Sequence, residues 1–106
     1  MNYIFLDNGF EEIEAITTID LLRRANVSLT TVSVTGTNIV LGAHNIPVQA
    51  DKLFNDVDFS DAEMLILPGG ATNLIQHQDL CDLLVQHNQQ DKLIAAICAA
   101  PAVLGQ

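Results

Sequence analysis

The sequence predicts an α/β fold in which helices cover both faces of a parallel sheet. Two observations carry that expectation. Short apolar runs alternate with segments of helical periodicity from end to end, and the connections between them are short, the pattern of successive βαβ units. About half of the 106 residues are hydrophobic, enough for a core, and the length suits a single domain spanning residues 1–106.

Taken in order, Asn2 to Leu6 is an apolar run closed by the turn cluster Asp7-Asn8-Gly9, which reads as a first strand. Glu11 to Ala25 has the length and period of a helix. Val27 to Val34 is rich in β-branched residues and reads as a second strand, broken by Thr35-Gly36. Asn38 to Leu41 and Asn45 to Gln49 fit a small hairpin, with Pro47 confining its second arm to an edge. Asp51 to Asp61 is acidic and reads as irregular. Met64 to Leu67 is a short buried strand ending in Pro68-Gly69-Gly70. Asp79 to Gln90 is a second helix, and Leu93 to Ile97 a last strand. Repeats, low-complexity tracts and linkers are absent.

Composition excludes several classes of partner. Thirteen acidic against four basic residues give a net charge of −9, unsuited to nucleic-acid backbones or anionic membranes. No apolar stretch approaches the roughly 18 residues that span a bilayer. The start of the chain lacks the basic region of a signal peptide. The two cysteines, Cys81 and Cys98, show neither CxxC nor zinc-site spacing, so no metal site is expected and a reducing, cytoplasmic setting fits.

Three features carry chemistry. Cys98 ends the run Lys92-Leu-Ile-Ala-Ala-Ile-Cys98, and Ala99-Ala100-Pro101 then opens a helix. Small neighbours permit a tight strand-to-helix turn, and the following helix N-terminus would favour the thiolate. The competing reading is a small hydrophobe capping a buried strand. Glu14 is the second feature. At about 100° per residue it falls between Leu21 and Ala25, on an arc shared with Ala15, Ile19 and Leu22, while Glu12 lies on the polar side. A carboxylate facing a core needs a hydrogen bond or a proton. Acids in the first turn also offset the helix dipole, which accounts for Glu11 and Glu12 better than for Glu14. Third, Gly69-Gly70 follows a strand end, where backbone N–H groups can face a ligand crevice. Gly70 and Ala99 N–H groups together would form an oxyanion hole beside Cys98. His77 is a remote candidate base, whereas His44 is poorly placed, and His87 and Cys81 read as structural. Ile13 and Ile16 lie on the polar arc of the first helix, which marks them as a subunit contact.

The ordered set Gly9-Phe-Glu-Glu-Ile-Glu14, Ile66-Leu-Pro-Gly-Gly70 and Ala95-Ala-Ile-Cys-Ala-Ala-Pro101 resembles the ThiJ/PfpI superfamily, most closely its protein-deglycase branch. The resemblance implies a flavodoxin-like sandwich, a homodimer, Cys98 as reactive cysteine, Glu14 as the buried glutamate, and Gly70 and Ala99 as backbone donors. It also implies a cofactor-free glyoxalase or deglycase acting on a dicarbonyl aldehyde or a glycated amine. Members of this superfamily run on to further strands and a histidine beyond the cysteine, so the 106 residues are expected to be the amino-terminal part of the fold. Alanine at position 99, where the peptidase-like branch has histidine, points away from proteolysis. Three other roles remain: a redox-sensing chaperone built on the same thiol, an amidotransferase-like hydrolase lacking its downstream partners, and a thiazole (thiamin) synthesis enzyme, for which no basic phosphate loop is present.

Overall fold

The structure is a computed structural model that describes residues 1–70, 77–90 and 92–96. Its elements run β1 (Asn2–Leu6), α1 (Glu12–Arg24), β2 (Leu29–Ser33), β3 (Ile39–Leu41), β4 (Pro47–Gln49), β5 (Lys52–Leu53), β6 (Met64–Leu67), α2 (Gln78–Gln89) and β7 (Leu93–Ala96). Five strands form one parallel sheet in the order β5-β2-β1-β6-β7, and β3 pairs antiparallel with β4 as a separate ribbon. The parallel sheet and the hairpin are as the sequence predicts. The second strand is shorter at both ends than predicted.

Strand β1 sits at the centre, so it is apolar on both faces. Tyr3 and Phe5 point to one side, where they meet Val32, Leu65, Leu67 and the α2 residues Leu80 and Leu84. Ile4 points to the other and packs with Ile66, Leu29 and Ile19 of α1. Successive side chains of a strand alternate between faces, so one helix can cover each side. Cys81 is buried in the α2 layer, and burial pushes its thiol pKa up, with a smaller push from Asp82. His87 is buried too and its Nε2–H donates to the Leu93 carbonyl at 3.0 Å, tying the end of α2 to β7. Both residues are structural, as their sequence context indicates.

Residues 51–61 are more ordered than the sequence reading allows. Asp51 accepts from Thr31 N–H at 3.0 Å and pairs with Arg23 at 2.9 Å, which docks β5 against β2. Two 3₁₀ turns follow, Phe54–Asp56 and Phe59–Asp61, and their phenylalanines stack near Phe5. Acidic composition concealed a strand of two residues whose register depends on a partner far away in sequence.

Candidate active site

The chain passes from β1 to β2 on one side and later returns to β6 on the other, so strand order reverses between β1 and β6. In open α/β sheets the crevice beyond the carboxyl ends at such a point is where ligands bind. Two turns emerge there: Asp7 to Phe10 after β1, and Pro68 to Gly70 after β6.

These turns hold each other. Glu11 N–H donates to Gly69 O at 2.9 Å. Gly70 has φ +73°, and a Cβ there would lie 2.5 Å from Gly9 O and 2.7 Å from Glu11 N. Only glycine permits so close an approach in that conformation. The contact seats the Gly-Gly turn on the start of α1, where Glu11 caps the helix by accepting from Glu14 N–H at 2.8 Å. Glu14 is half-buried, and its Oε2 is shielded from solvent.

The face of α1 differs from the one the wheel predicts. Leu21 is 59 % exposed and Ala25 is exposed, while Glu12 joins Ala15 and Ile19 among the buried residues. Period alone shows that a helix has faces; the neighbours decide which one is covered. Here the hairpin lies over the first turn, and its backbone N–H groups need an acceptor. Glu12 Oε2 accepts from His44 N–H at 2.8 Å and Ile46 N–H at 3.3 Å, and Oε1 accepts from the His44 ring at 2.9 Å. Glu12 is thus a tether for the hairpin and not a dipole-compensating surface acid.

Burial would raise the Glu12 pKa, but the His44 ring and the backbone N–H groups of Glu12, His44 and Ile46 outweigh it and hold it at about 2. The hydrogen bond to Glu12, reinforced by its charge, raises His44 above its ordinary 6.5. The signs differ. Glu12 contributes stability above its ordinary 4.5 that is lost as pH falls toward 2, whereas His44 contributes below 6.5 and loses it as pH rises through its raised value. The tether is therefore strongest between those ordinary values. NMR titration should find His44 above 6.5 in the wild type and back near 6.5 in Glu12→Gln; equal midpoints would refute the tether.

Glu11, Glu12 and His44 also form a group whose ligand atoms lie within 4.8 Å of one another. The hydrogen bonds just described occupy both Glu12 oxygens, so the cluster is accounted for without a cation. His77, the remote base candidate, lies at the same end of the sheet: its Nε2–H donates to Asp7 Oδ2 at 3.0 Å. Nothing in the sequence tied Asp7 to it, because the two are seventy positions apart.

Cys98 and Ala99 lie outside the described residues. The strand leading to them is described, and Ala96 is in register with Leu67, so β7 ends beside the strand that carries Gly69 and Gly70. Ile13 is 73 % and Ile16 39 % exposed, so neither packs beneath the hairpin.

A central parallel sheet, one helix layer on each face and a glycine turn at the switch point define the flavodoxin-like class. The chain belongs to the DJ-1/PfpI family, whose model matches residues 2–106. It is 34 % identical over 106 residues to protein dj-1beta of Drosophila melanogaster, covering 97 % of this chain and 57 % of that protein. YraA of Bacillus subtilis, which carries a provisional cysteine-protease name, is 29 % identical over 103 residues, covering 95 % and 61 %. An oxidized DJ-1 structure from Toxoplasma gondii superposes with a TM-score of 0.85 at 38 % identity, covering 95 % of this chain and 56 % of that one. The chain thus spans a little over half the length of these relatives. Among the described residues no helix is long and apolar enough to cross a membrane.

Proposed function

We propose that this chain belongs to a cysteine-dependent, cofactor-free glyoxalase or deglycase that acts on reactive dicarbonyls or early glycation adducts. The observation that carries the reading is the bond from Glu11 N–H to Gly69 O, which sets the helix bearing Glu14 against the glycine turn. The β6–β7 register brings Ala96, two residues before Cys98 in sequence, to the same end of the sheet.

With methylglyoxal, the Cys98 thiolate adds to the aldehyde carbon, and the oxyanion takes a proton to give a hemithioacetal. Gly70 and Ala99 N–H groups stabilise that oxyanion. Glu14 removes the proton from the aldehyde-derived carbon and delivers it to the neighbouring carbon, reducing the ketone as the thiol-bearing carbon becomes a thioester. Water cleaves the thioester and returns the thiol, so methylglyoxal and water become lactate with no external oxidant. Lactate formation followed by proton NMR, with no added cofactor, tests the scheme.

A redox-sensor reading uses the same thiol, and the oxidized form of the Toxoplasma gondii relative favours weighing it. Intact-mass measurement after mild peroxide, run beside the lactate assay, separates them: oxygen addition at Cys98 without lactate supports the sensor. A cytoplasmic setting fits either reading, since both need a reduced thiol.

We place the homodimer contact at Ile13 and Ile16, with Ile46 of the adjoining hairpin, which is 51 % exposed. Ile13→Lys should convert a dimer to a monomer in sedimentation and weaken turnover, because the contact adjoins Glu14. An unchanged dimer with normal turnover would reject it.

A further inference from the structure

A cavity of about 460 Å³ opens at the carboxyl ends of β2 and β5, bounded by those strand ends and the start of α2. It shares no residue with the Glu14–Gly69–Gly70 region. Its volume falls in the range of small-molecule sites, and such sites favour strand carboxyl ends. Val34, Leu53, Phe54 and Leu80 give it apolar walls, and His77 stands at its border.

His77 is oriented by a carboxylate. Its Nε2–H donates to Asp7 Oδ2 at 3.0 Å, and Asp7 is itself fixed by accepting from Asn8 N–H at 2.8 Å. Asp7 is largely buried, with its side chain 11 % exposed against 34 % for His77. A carboxylate bound to one ring nitrogen fixes the proton there and leaves the other, Nδ1, as an acceptor in the neutral ring. This is the arrangement of a base oriented by an acid, set beside an open cavity. The ring therefore asks for a ligand that donates a hydrogen bond, and the hydroxyl is the simplest such group. Beside it, the first turn of α2 offers the N–H groups of Gln78, Asp79 and Leu80, with no side-chain cap from His77. Those donors suit a carboxylate. Asp79 borders the cavity as well and opposes an anion, which limits affinity.

We propose that this cavity binds a small hydroxy-carboxylate with an aliphatic tail. The tail lies on the Leu53, Phe54 and Leu80 wall, the hydroxyl donates to His77 Nδ1, and the carboxylate meets the first turn of α2. Asp7 acts as a positioning residue through the ring.

The test uses the Cys98→Ala protein, so that no turnover consumes the probe and a failure of the glyoxalase reading leaves this result interpretable. The probe is 2-hydroxyisocaproate, with isocaproate as the analogue lacking the hydroxyl, titrated by ¹H–¹⁵N NMR. Saturable shifts are expected at Gln78 to Leu80 and Thr35, with about 3- to 10-fold weaker binding of isocaproate, the worth of one hydrogen bond. His77→Ala should weaken 2-hydroxyisocaproate binding by about 10-fold and erase the difference between the two acids. Asp79→Asn, an exposed site that should not disturb folding, should tighten both by about 2- to 5-fold as the like charge is removed. Equal affinity for the two acids in the presence of His77, unaltered binding in a folded His77→Ala, or no saturable shift would overturn the proposal.

Discussion

Cys98→Ala is expected to abolish lactate formation from methylglyoxal while leaving the fold unchanged. In the proposed scheme addition of sulfur to the aldehyde is the first bond made, and among the described residues no thiol lies at that end of the sheet. Cys81 cannot substitute, because it is buried on the core-facing side of α2 and its thiol pKa is raised by burial. Glu14→Gln should retain the hemithioacetal and lose the proton transfer, lowering turnover by about 10²- to 10⁴-fold, the usual worth of a positioned acid–base group. The pair of variants separates the two steps. Mass spectrometry should trap an adduct on the Glu14→Gln protein and none on Cys98→Ala. Turnover that survives Cys98→Ala would end the mechanism, and an undiminished Glu14→Gln would remove the carboxylate from it.

Gly70→Ala should destabilise the fold strongly. Its φ of +73° costs a residue with a Cβ about 1–3 kcal/mol. The added carbon would also meet Gly9 O at 2.5 Å, Glu11 N at 2.7 Å and the Phe10 carbonyl carbon at 3.1 Å. All three are backbone atoms, so none can swing aside, and overpacking adds about 1–3 kcal/mol. A total of about 3 kcal/mol would lower the melting temperature by roughly 15 °C in a domain of this size. Gly36→Ala is the matched control. Its φ is +91°, yet nothing lies within 4 Å of the added carbon, so it carries the conformational cost alone. Similar melting temperatures for the two variants would show that the Gly70 contact is slack. Where Gly70→Ala does fold, opening the Glu11–Gly69 bond should cost turnover as well, since Glu14 moves with the start of its helix.

The order of strands and helices was readable because each central strand announces itself as an unbroken apolar run, as in Tyr3 to Leu6 or Met64 to Leu67. The glycine turn was readable because two glycines follow directly on the end of an expected parallel strand, where backbone N–H groups can face a crevice. What could not be read were pairings made across the chain. Glu12 looked like a surface acid because its partners, the N–H groups at 44 and 46, lie some thirty positions away. Leu21 looked buried because period cannot tell how far a sheet extends beneath a helix. Lys52–Leu53 became a strand through Asp51, which binds Thr31 and Arg23. His77 was retained as a base without its orienting acid, since Asp7 reads as an ordinary turn residue.

The hairpin is more than a decoration on the sheet edge. Leu41 accepts from Gly9 N–H and donates to Asn8, Ala43 N–H reaches Phe10 O, and Glu12 grips the turn at 44 and 46. Glu11, the next residue back, is bonded to Gly69. Force applied to the hairpin tip therefore travels through two short backbone links to the glycine turn. Residues 43 to 46, exposed and distant from the chemistry in sequence, consequently share its intolerance of insertion. A length change there would pull the Gly69-Gly70 turn out of place, whereas an equal change in the 3₁₀ turns at 54–61 would leave that link unstretched.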